Sequence, residues 1–92
     1  MRTPWGQSDS VVEVGRGIRC VSTPSHGGYY VPDSLLSAIP AAWQARAAEW
    51  SGSPNWYEED CEWASVAVTF PDLFPPEAQE AARRTIAFRE RA

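Results

Sequence analysis

Residues 10–23 read SVVEVGRGIRCVST, and this stretch decides the fold of the 92-residue chain. Its first part, residues 10–14, is rich in β-branched valine, which suits a strand better than a helix. The Gly15-Arg16-Gly17 segment then predicts a hairpin turn, because glycine tolerates positive φ angles. Residues 18–23 alternate between apolar and polar side chains and are predicted to form the returning strand, with a short third strand at 29–31.

Helical patterns occupy most of the chain after these strands. A short helix is predicted over residues 33–39, and a second one follows Pro40 and ends at Gly52. Proline suits the first turn of a helix, and glycine suits its C-terminal cap. The second helix carries an apolar stripe at positions i, i+4 and i+7, made of Trp43, Ala47 and Trp50. A final helix begins at Pro76, acidic at its start and rich in arginine at its end, as the helix dipole favours.

The best-defined helix is predicted over residues 53–70. Asn55 and Glu58 have the spacing of a capping box at its N-terminus. A turn of about 100° per residue gives it an apolar face made of Tyr57, Cys61, Ala64 and Val68. Strands in the N-terminal half and helices in the C-terminal half predict an α+β fold. We expect a small antiparallel sheet of two or three strands packed against three or four helices, in a single domain over residues 1–92.

The composition excludes several classes of protein. Hydrophobic residues make up 43 % of the chain and include five tryptophans, too much apolar side chain for a disordered tail. No apolar run reaches the roughly 20 residues that span a bilayer, and no secretory signal is present, so we expect a cytoplasmic protein. Two cysteines are too few for a disulfide scaffold. With a single histidine they lack the ligand spacing of a metal site, and no metal or other cofactor is expected.

Charge is distributed unevenly along the chain. The net charge is −4, all eight basic residues are arginines, and residues 49–80 contain eight acids without a basic residue. Such a segment repels phosphate, so nucleic acid is not expected to bind it directly. Carboxylates can instead imitate DNA phosphates and occupy a basic surface built for DNA. The predicted partner-binding residues are Glu49, Glu58, Glu59, Glu62, Asp72, Glu77 and Glu80. The alternative is an ordinary solvated face that keeps the protein soluble.

Cysteine and glycine residues offer chemical alternatives to a binding surface. Cys20 or Cys61 could form a nucleophilic pair with His26, since an adjacent base activates a thiol. A cysteine in a strand or on an apolar helix face is more typical of an inert, buried thiol, and no catalytic residue is predicted. Residues 25–28 (SHGG) could cradle an anion, but without a following helix they favour a tight turn between strands.

Asp60 and the tryptophans raise two further possibilities. Asp60 falls inside the apolar arc of the helix predicted over 53–70, where a carboxylate needs a partner. An internal ion pair with Arg16 or Arg19 is the expected solution. A protein-interaction domain could also recognise its partner through an aromatic face, for which the candidates are Trp5, Trp43 and Trp50.

Three motifs stand out along the chain: residues 3–6 (TPWG), residues 21–28 (VSTPSHGG), and residues 56–63 (WYEEDCEW) with FPDLF at 70–74. Together they resemble an uncharacterised domain that phages, plasmids and other mobile elements carry. This resemblance implies no catalytic residue. Small size and acidity also make the chain similar to anti-CRISPR proteins that occupy the DNA-binding surface of type I effector complexes. The second resemblance implies a non-enzymatic inhibitor in the bacterial cytoplasm, with a protein complex as its partner.

Overall fold

A computed structural model describes residues 2–91, in which strands precede most of the helices. Two short strands, β1 (Arg2–Thr3) and β2 (Gly6–Gln7), pair with each other. The strands of the main sheet are β3 (Ser10–Gly15), β4 (Ile18–Ser22), β5 (Gly27–Tyr30) and β6 (Trp56–Glu58). The helices are α1 (Asp33–Leu36), α2 (Ala41–Ser51), α3 (Trp63–Thr69) and α4 (Pro76–Arg91), and a 3₁₀ turn spans Pro71–Leu73. This order confirms the predicted α+β fold.

The main sheet is antiparallel, with the strand order β3-β4-β5-β6. The hairpin predicted from the sequence joins β3 to β4. Arg16 at its tip adopts a left-handed φ of 55°, between Gly15 at 150° and Gly17 at 89°. Positive φ at three consecutive residues explains why glycine flanks the arginine, since side chains disfavour this conformation.

One face of the sheet packs against the helices. Tyr29 on β5 and Tyr57 on β6 are cross-strand partners, so both side chains lie on this face. Tyr57 is fully buried, and the Tyr29 ring lies 5.4 Å from that of Phe74, which follows the 3₁₀ turn. The apolar core therefore lies between this face and the helical layer.

The β1–β2 hairpin covers part of the opposite face. Gly28 on β5 and Glu58 on β6 are cross-strand partners on that face. The Trp5 ring packs edge-on against Trp56, with centroids 5.7 Å apart, and Tyr30 lies 5.0 Å from the same Trp56 ring. This cluster gives the TPWG motif a structural role, because its tryptophan anchors the N-terminal hairpin to the sheet.

Helix α3 lies at the centre of the helical layer and packs against α4. Each of its residues 64–67 has an exposed fraction of 0 %. Helix α2 buries Trp43 and Ala47, as its predicted apolar stripe requires, whereas Trp50 at the end of that stripe is exposed. Gly52 stops α2 with a left-handed φ of 86°, as predicted. No helix within residues 2–91 has the length and apolar character needed to cross a membrane.

The helix predicted over residues 53–70 is wrong in its first half. Residues Trp56–Glu58 form strand β6 beside β5, and α3 begins only after the following turn. Asn55 does not cap a helix. Its side-chain amide donates hydrogen bonds of 2.8 Å to the carbonyl oxygen of Val31 and to Oδ1 of Asp33. This anchor holds β6 against β5, where the backbone groups of both strands find partners. The periodicity of neighbouring residues could not predict this pairing, because the two strands are distant in the sequence.

The phenolic oxygen of Tyr57 is buried and has no hydrogen-bond partner among the described residues. Burial raises the pKa of Tyr57 to about 12. An unpaired buried hydroxyl opposes folding, so Tyr57→Phe should keep or raise the free energy of unfolding, by up to about 1 kcal/mol. Urea denaturation of the two proteins measures the difference. A clear loss of stability would instead show that this hydroxyl is hydrogen-bonded.

Candidate functional site

A cleft of about 660 Å³ opens where the ends of α2 and β6, the turn before α3 and the C-terminal part of α4 meet. Its lining combines four carboxylates with two guanidinium groups, which gives it a formal charge of −2. The carboxylates are those of Glu49, Glu58, Asp60 and Glu62, and the guanidinium groups those of Arg46 and Arg89. The side chains of His26, Trp50 and Cys61 complete the lining.

Three parts of the fold bring these acids together. Glu49 lies in the last turn of α2. Glu58 ends β6, and because side chains alternate along a strand, it lies on the face opposite the buried Tyr57. Asp60 and Glu62 belong to the turn that connects β6 to α3. The strand that sequence periodicity missed is therefore the element that carries Glu58 to the cleft.

Burial raises the pKa of Glu58, the neighbouring Asp60 carboxyl group and the charge of Glu62 raise it further, and His26 lowers it. Like charges that raise the pKa of their neighbours repel one another, and a bound cation would relieve that repulsion. The cleft is therefore electrostatically suited to a positively charged group.

Glu62 carries the most deeply buried carboxylate of the cleft. Its exposed fraction is 6 %, and burial raises its pKa, against the effect of its own backbone amide, the Cys61 thiol, Arg89 and Arg46. Within residues 2–90 no arginine forms an ion pair with Glu62 inside 4.0 Å. The Arg46 guanidinium instead lies over the ring of Trp43, 4.8 Å from its centroid. Glu62 thus holds a buried charge without a close counter-ion.

Only part of the predicted acidic surface converges on the cleft. Glu49, Glu58 and Glu62 line it, whereas Asp72 pairs with Arg16 at 2.5 Å, beside the β3–β4 hairpin. Glu80 pairs with arginines one turn ahead on α4, at 2.7 Å for Arg83 and 3.5 Å for Arg84. Glu59 and Glu77 are exposed and do not line the cleft. The eight acids of segment 49–80 therefore do not form one continuous patch, because arginines distant in sequence or on the same helix pair with some of them.

The expected ion pair of Asp60 with Arg16 or Arg19 is wrong. Asp60 is exposed at the cleft rather than buried in a helix, since the helical arc that would have enclosed it does not form. Arg16 pairs with Asp72, and Arg19 lies 3.5 Å from Glu13 on the neighbouring strand β3. These pairs are exposed and contribute little to stability.

The aromatic face proposed from three tryptophans does not form as a single surface. Trp43 is 3 % exposed within the core, and Trp5 packs on the opposite side of the sheet from the helices. Trp50 is 74 % exposed and lines the cleft. Of the three, Trp50 alone remains a candidate contact for a partner at this site.

Sequence reasoning missed the two basic members of the cleft, Arg46 and Arg89, and did not place Trp50 beside the acids. A signal was present in α2, where Arg46, Glu49 and Trp50 have the spacing i, i+3 and i+4 and so share one helical face. Arg89 carried no such signal, because its approach depends on how α4 crosses α3. Within residues 2–91 no group of three or more histidine, cysteine and carboxylate side chains is arranged to hold a metal ion.

Cys61 and His26 line the same cleft, as a nucleophilic pair would require. The Cys61 residue is 4 % exposed, however, and burial raises the pKa of its thiol, as does the charge of Glu62, while Arg89 opposes the increase. A raised pKa keeps the sulfur protonated, whereas a nucleophilic cysteine needs the thiolate. Cys20 is the cross-strand partner of Tyr29 in the main sheet and does not line the cleft.

Cys61 should therefore react slowly with alkylating reagents. In a Cys20→Ala variant, which leaves a single thiol, we expect iodoacetamide to modify folded protein several-fold more slowly than protein unfolded in urea. Mass spectrometry of timed samples measures both rates. Equal rates would mean that the Cys61 thiol is accessible and ionised, and would favour the nucleophilic interpretation of the cleft.

The SHGG segment contributes a turn and the start of a strand. The Thr23 hydroxyl donates a hydrogen bond of 2.7 Å to the His26 carbonyl oxygen and accepts one of 3.0 Å from the His26 amide. This clamp closes the tight turn between β4 and β5. Gly27 and Gly28 then enter β5, where both pair with β4. The segment is thus a turn between strands, as the alternative to an anion cradle predicted.

Comparison with known proteins identifies the chain by family. A search of curated proteins and a search of solved structures each found no match. The family described as "Domain of unknown function (DUF7007)" matches residues 1–90, nearly the whole sequence. Its match includes the motifs TPWG, VSTPSHGG and WYEEDCEW, which here form the N-terminal anchor, the β4–β5 turn and the acidic edge of the cleft. The chain belongs to this uncharacterised domain family, DUF7007.

Proposed function

We propose that this domain is a non-enzymatic interaction module that binds a basic surface of a partner protein through the acidic cleft. The observation that carries the proposal is the convergence of Glu49, Glu58, Asp60 and Glu62 from three parts of the fold. Charges collected in a concave site attract a partner more strongly than the same charges dispersed over a surface. Asp72 and Glu80 pair with arginines away from the cleft, so the proposed contact does not include them.

The partner that we propose is a bacterial type I CRISPR effector complex, with the domain acting as an inhibitor in the cytoplasm. Its acids would occupy basic side chains that otherwise bind DNA phosphates, so target DNA would be excluded. Support comes from the similarity in size and acidity to anti-CRISPR proteins and from the charge of the cleft. Because the paired acids lie elsewhere, the mimicry would be local, at one site of the effector, and would not extend along a DNA-length track.

A competition experiment with matched charge changes tests this proposal. Glu49→Arg/Glu58→Arg reverses two cleft acids, and Glu77→Arg/Glu80→Arg reverses two acids of α4 that do not line the cleft. Both variants gain the same net charge. We expect the cleft variant to lose about tenfold or more in its ability to displace labelled target DNA from the effector, and the α4 variant to lose less than about threefold.

The salt dependence and the controls define the outcome. Wild-type inhibition should weaken as ionic strength rises, because screening acts on charges that steer association. Circular dichroism and thermal unfolding confirm that both double variants fold. Equal inhibition by the two variants would place the contact outside the cleft. Binding to the effector without competition against DNA would contradict the inhibitory mechanism while leaving the cleft as an interaction site.

A further inference from the structure

We infer that the cleft accepts one arginine side chain of its partner, with the guanidinium beside Glu62 and against the Trp50 ring. This inference rests on the proposed function, since it names the chemical group that the cleft recognises. It requires three features: a buried acceptor that lacks a counter-ion, an exposed aromatic surface, and enough further carboxylates to hold a planar group with several donors.

Glu62 supplies the buried acceptor. It is 94 % buried by its exposed fraction of 6 %, lines the cleft, and has no ion pair within 4.0 Å in the described part of the chain. A buried carboxylate without a counter-ion costs free energy in the unbound domain. A cation that reaches the Glu62 carboxylate removes this cost, so much of the binding free energy comes from this one residue of the cleft.

Trp50 supplies the aromatic surface. Its side chain is 74 % exposed at the end of α2 and lines the same cleft as Glu62. Guanidinium groups stack on indole faces, and the chain contains such a contact about two turns earlier on the same helix, where Arg46 lies 4.8 Å from the Trp43 centroid. An arginine from the partner would make the corresponding contact with Trp50.

The number of carboxylates favours guanidinium over ammonium. Glu49 and Glu58 lie around the same cleft as Glu62, on different elements, so acceptors approach from several directions. A guanidinium group offers five donors in one plane and loses less hydration free energy on burial than an ammonium group, which suits both the acceptors and the aromatic surface. The formal charge of −2 on the lining leaves room for an additional cation beside Arg46 and Arg89.

Capped amino acids provide the direct test. The N-acetyl methylamides of arginine, lysine and citrulline are titrated into the full chain at low ionic strength, with binding followed through the Trp50 indole N–H signal in NMR spectra. Citrulline has the shape of arginine without its charge. We expect saturable binding of the arginine compound, at least about threefold weaker binding of the lysine compound, and no saturation with citrulline.

Variants assign the binding to the inferred contacts. Glu62→Gln preserves the shape of the side chain and should weaken arginine binding by about tenfold, while Trp50→Ala should weaken it by about threefold or more. For Trp50→Ala, isothermal titration replaces the indole signal. Glu80→Gln, which removes an equal charge from an acid outside the cleft, should leave binding unchanged. Unaltered NMR spectra away from the cleft verify that each variant folds.

The results separate this inference from the proposed function. Undiminished arginine binding by Glu62→Gln, or lysine binding as tightly as arginine, would overturn the inference. If arginine binds as expected and the domain does not compete with DNA for an effector, the proposed function fails and the arginine site stands. If the domain inhibits the effector through its cleft but shows no preference for arginine, the inference alone fails.

Discussion

Replacing Gly28 with alanine should lower the free energy of unfolding by at least about 3 kcal/mol, enough to prevent folding of a small domain. A Cβ atom at this position would overlap the carbonyl oxygen of Tyr57 on strand β6. It would also lie 2.7 Å from the Trp5 ring and 3.0 Å from the Cα atom of Glu58. Two of these neighbours are backbone atoms of a paired strand, so they cannot move without breaking the β5–β6 ladder.

Gly52→Ala is the matched control for this substitution. Gly52 has a left-handed φ of 86°, but a Cβ atom there would have nothing within 4 Å. Alanine should therefore cost only the strain of that conformation, about 1 kcal/mol. Urea denaturation monitored by tryptophan fluorescence compares both variants with the wild type. A loss at Gly28 no larger than that at Gly52 would contradict the close packing of the N-terminal hairpin on the sheet.

The elements that sequence reasoning predicted correctly are those whose cause is local. The β3–β4 hairpin depends on glycines flanking Arg16, and the end of α2 depends on Gly52. The start of α4 at Pro76 likewise follows from preferences at a helix N-terminus. In each case the residues that specify the element lie within a few positions of one another, so the local sequence is enough to predict the element.

Strand β6 shows where local reasoning ends. The spacing of the apolar side chains around Trp56–Glu58 also fits a helix. These residues form a strand because β5 pairs with them and because Asn55 donates a hydrogen bond to Val31. The candidate site depends on the same long-range pairing. Glu58 reaches the cleft only because β6 forms, and Asp72 is neutralised only because the β3–β4 hairpin brings Arg16 to it. The positions of the acids along the chain could not show that Glu58 lines the cleft whereas Asp72 pairs with Arg16.

Glu62→Gln should raise the free energy of unfolding at neutral pH by about 1–3 kcal/mol, because it replaces a buried charge that lacks a counter-ion. The sign follows from the raised pKa of Glu62, which burial chiefly causes. The native state holds this proton more tightly than the unfolded chain does. This contribution to wild-type stability is complete below the ordinary carboxyl pKa near 4.5 and is lost as pH rises through the raised pKa.

Urea denaturation of both proteins across this pH range measures the effect. The two stability curves should converge in acid, where Glu62 is protonated, and separate as it ionises, with the variant the more stable protein. Glu77→Gln, at an exposed acid outside the cleft, should show no comparable separation. If Glu62→Gln is instead less stable at neutral pH, the carboxylate has stabilising partners within the free domain, and it would not be available to a cation.

If Glu62→Gln gains stability and loses arginine binding, the Glu62 carboxylate serves binding and not folding. Selection for folding alone favours a neutral or apolar side chain at a position that is 6 % exposed. A buried charge that destabilises the free domain is explained if a partner compensates it in the complex, as binding sites commonly trade stability for function. Glu62→Gln therefore measures two quantities. The stability curve gives the free-energy cost of the Glu62 charge in the free domain, and the arginine titration gives the contribution of that charge to binding.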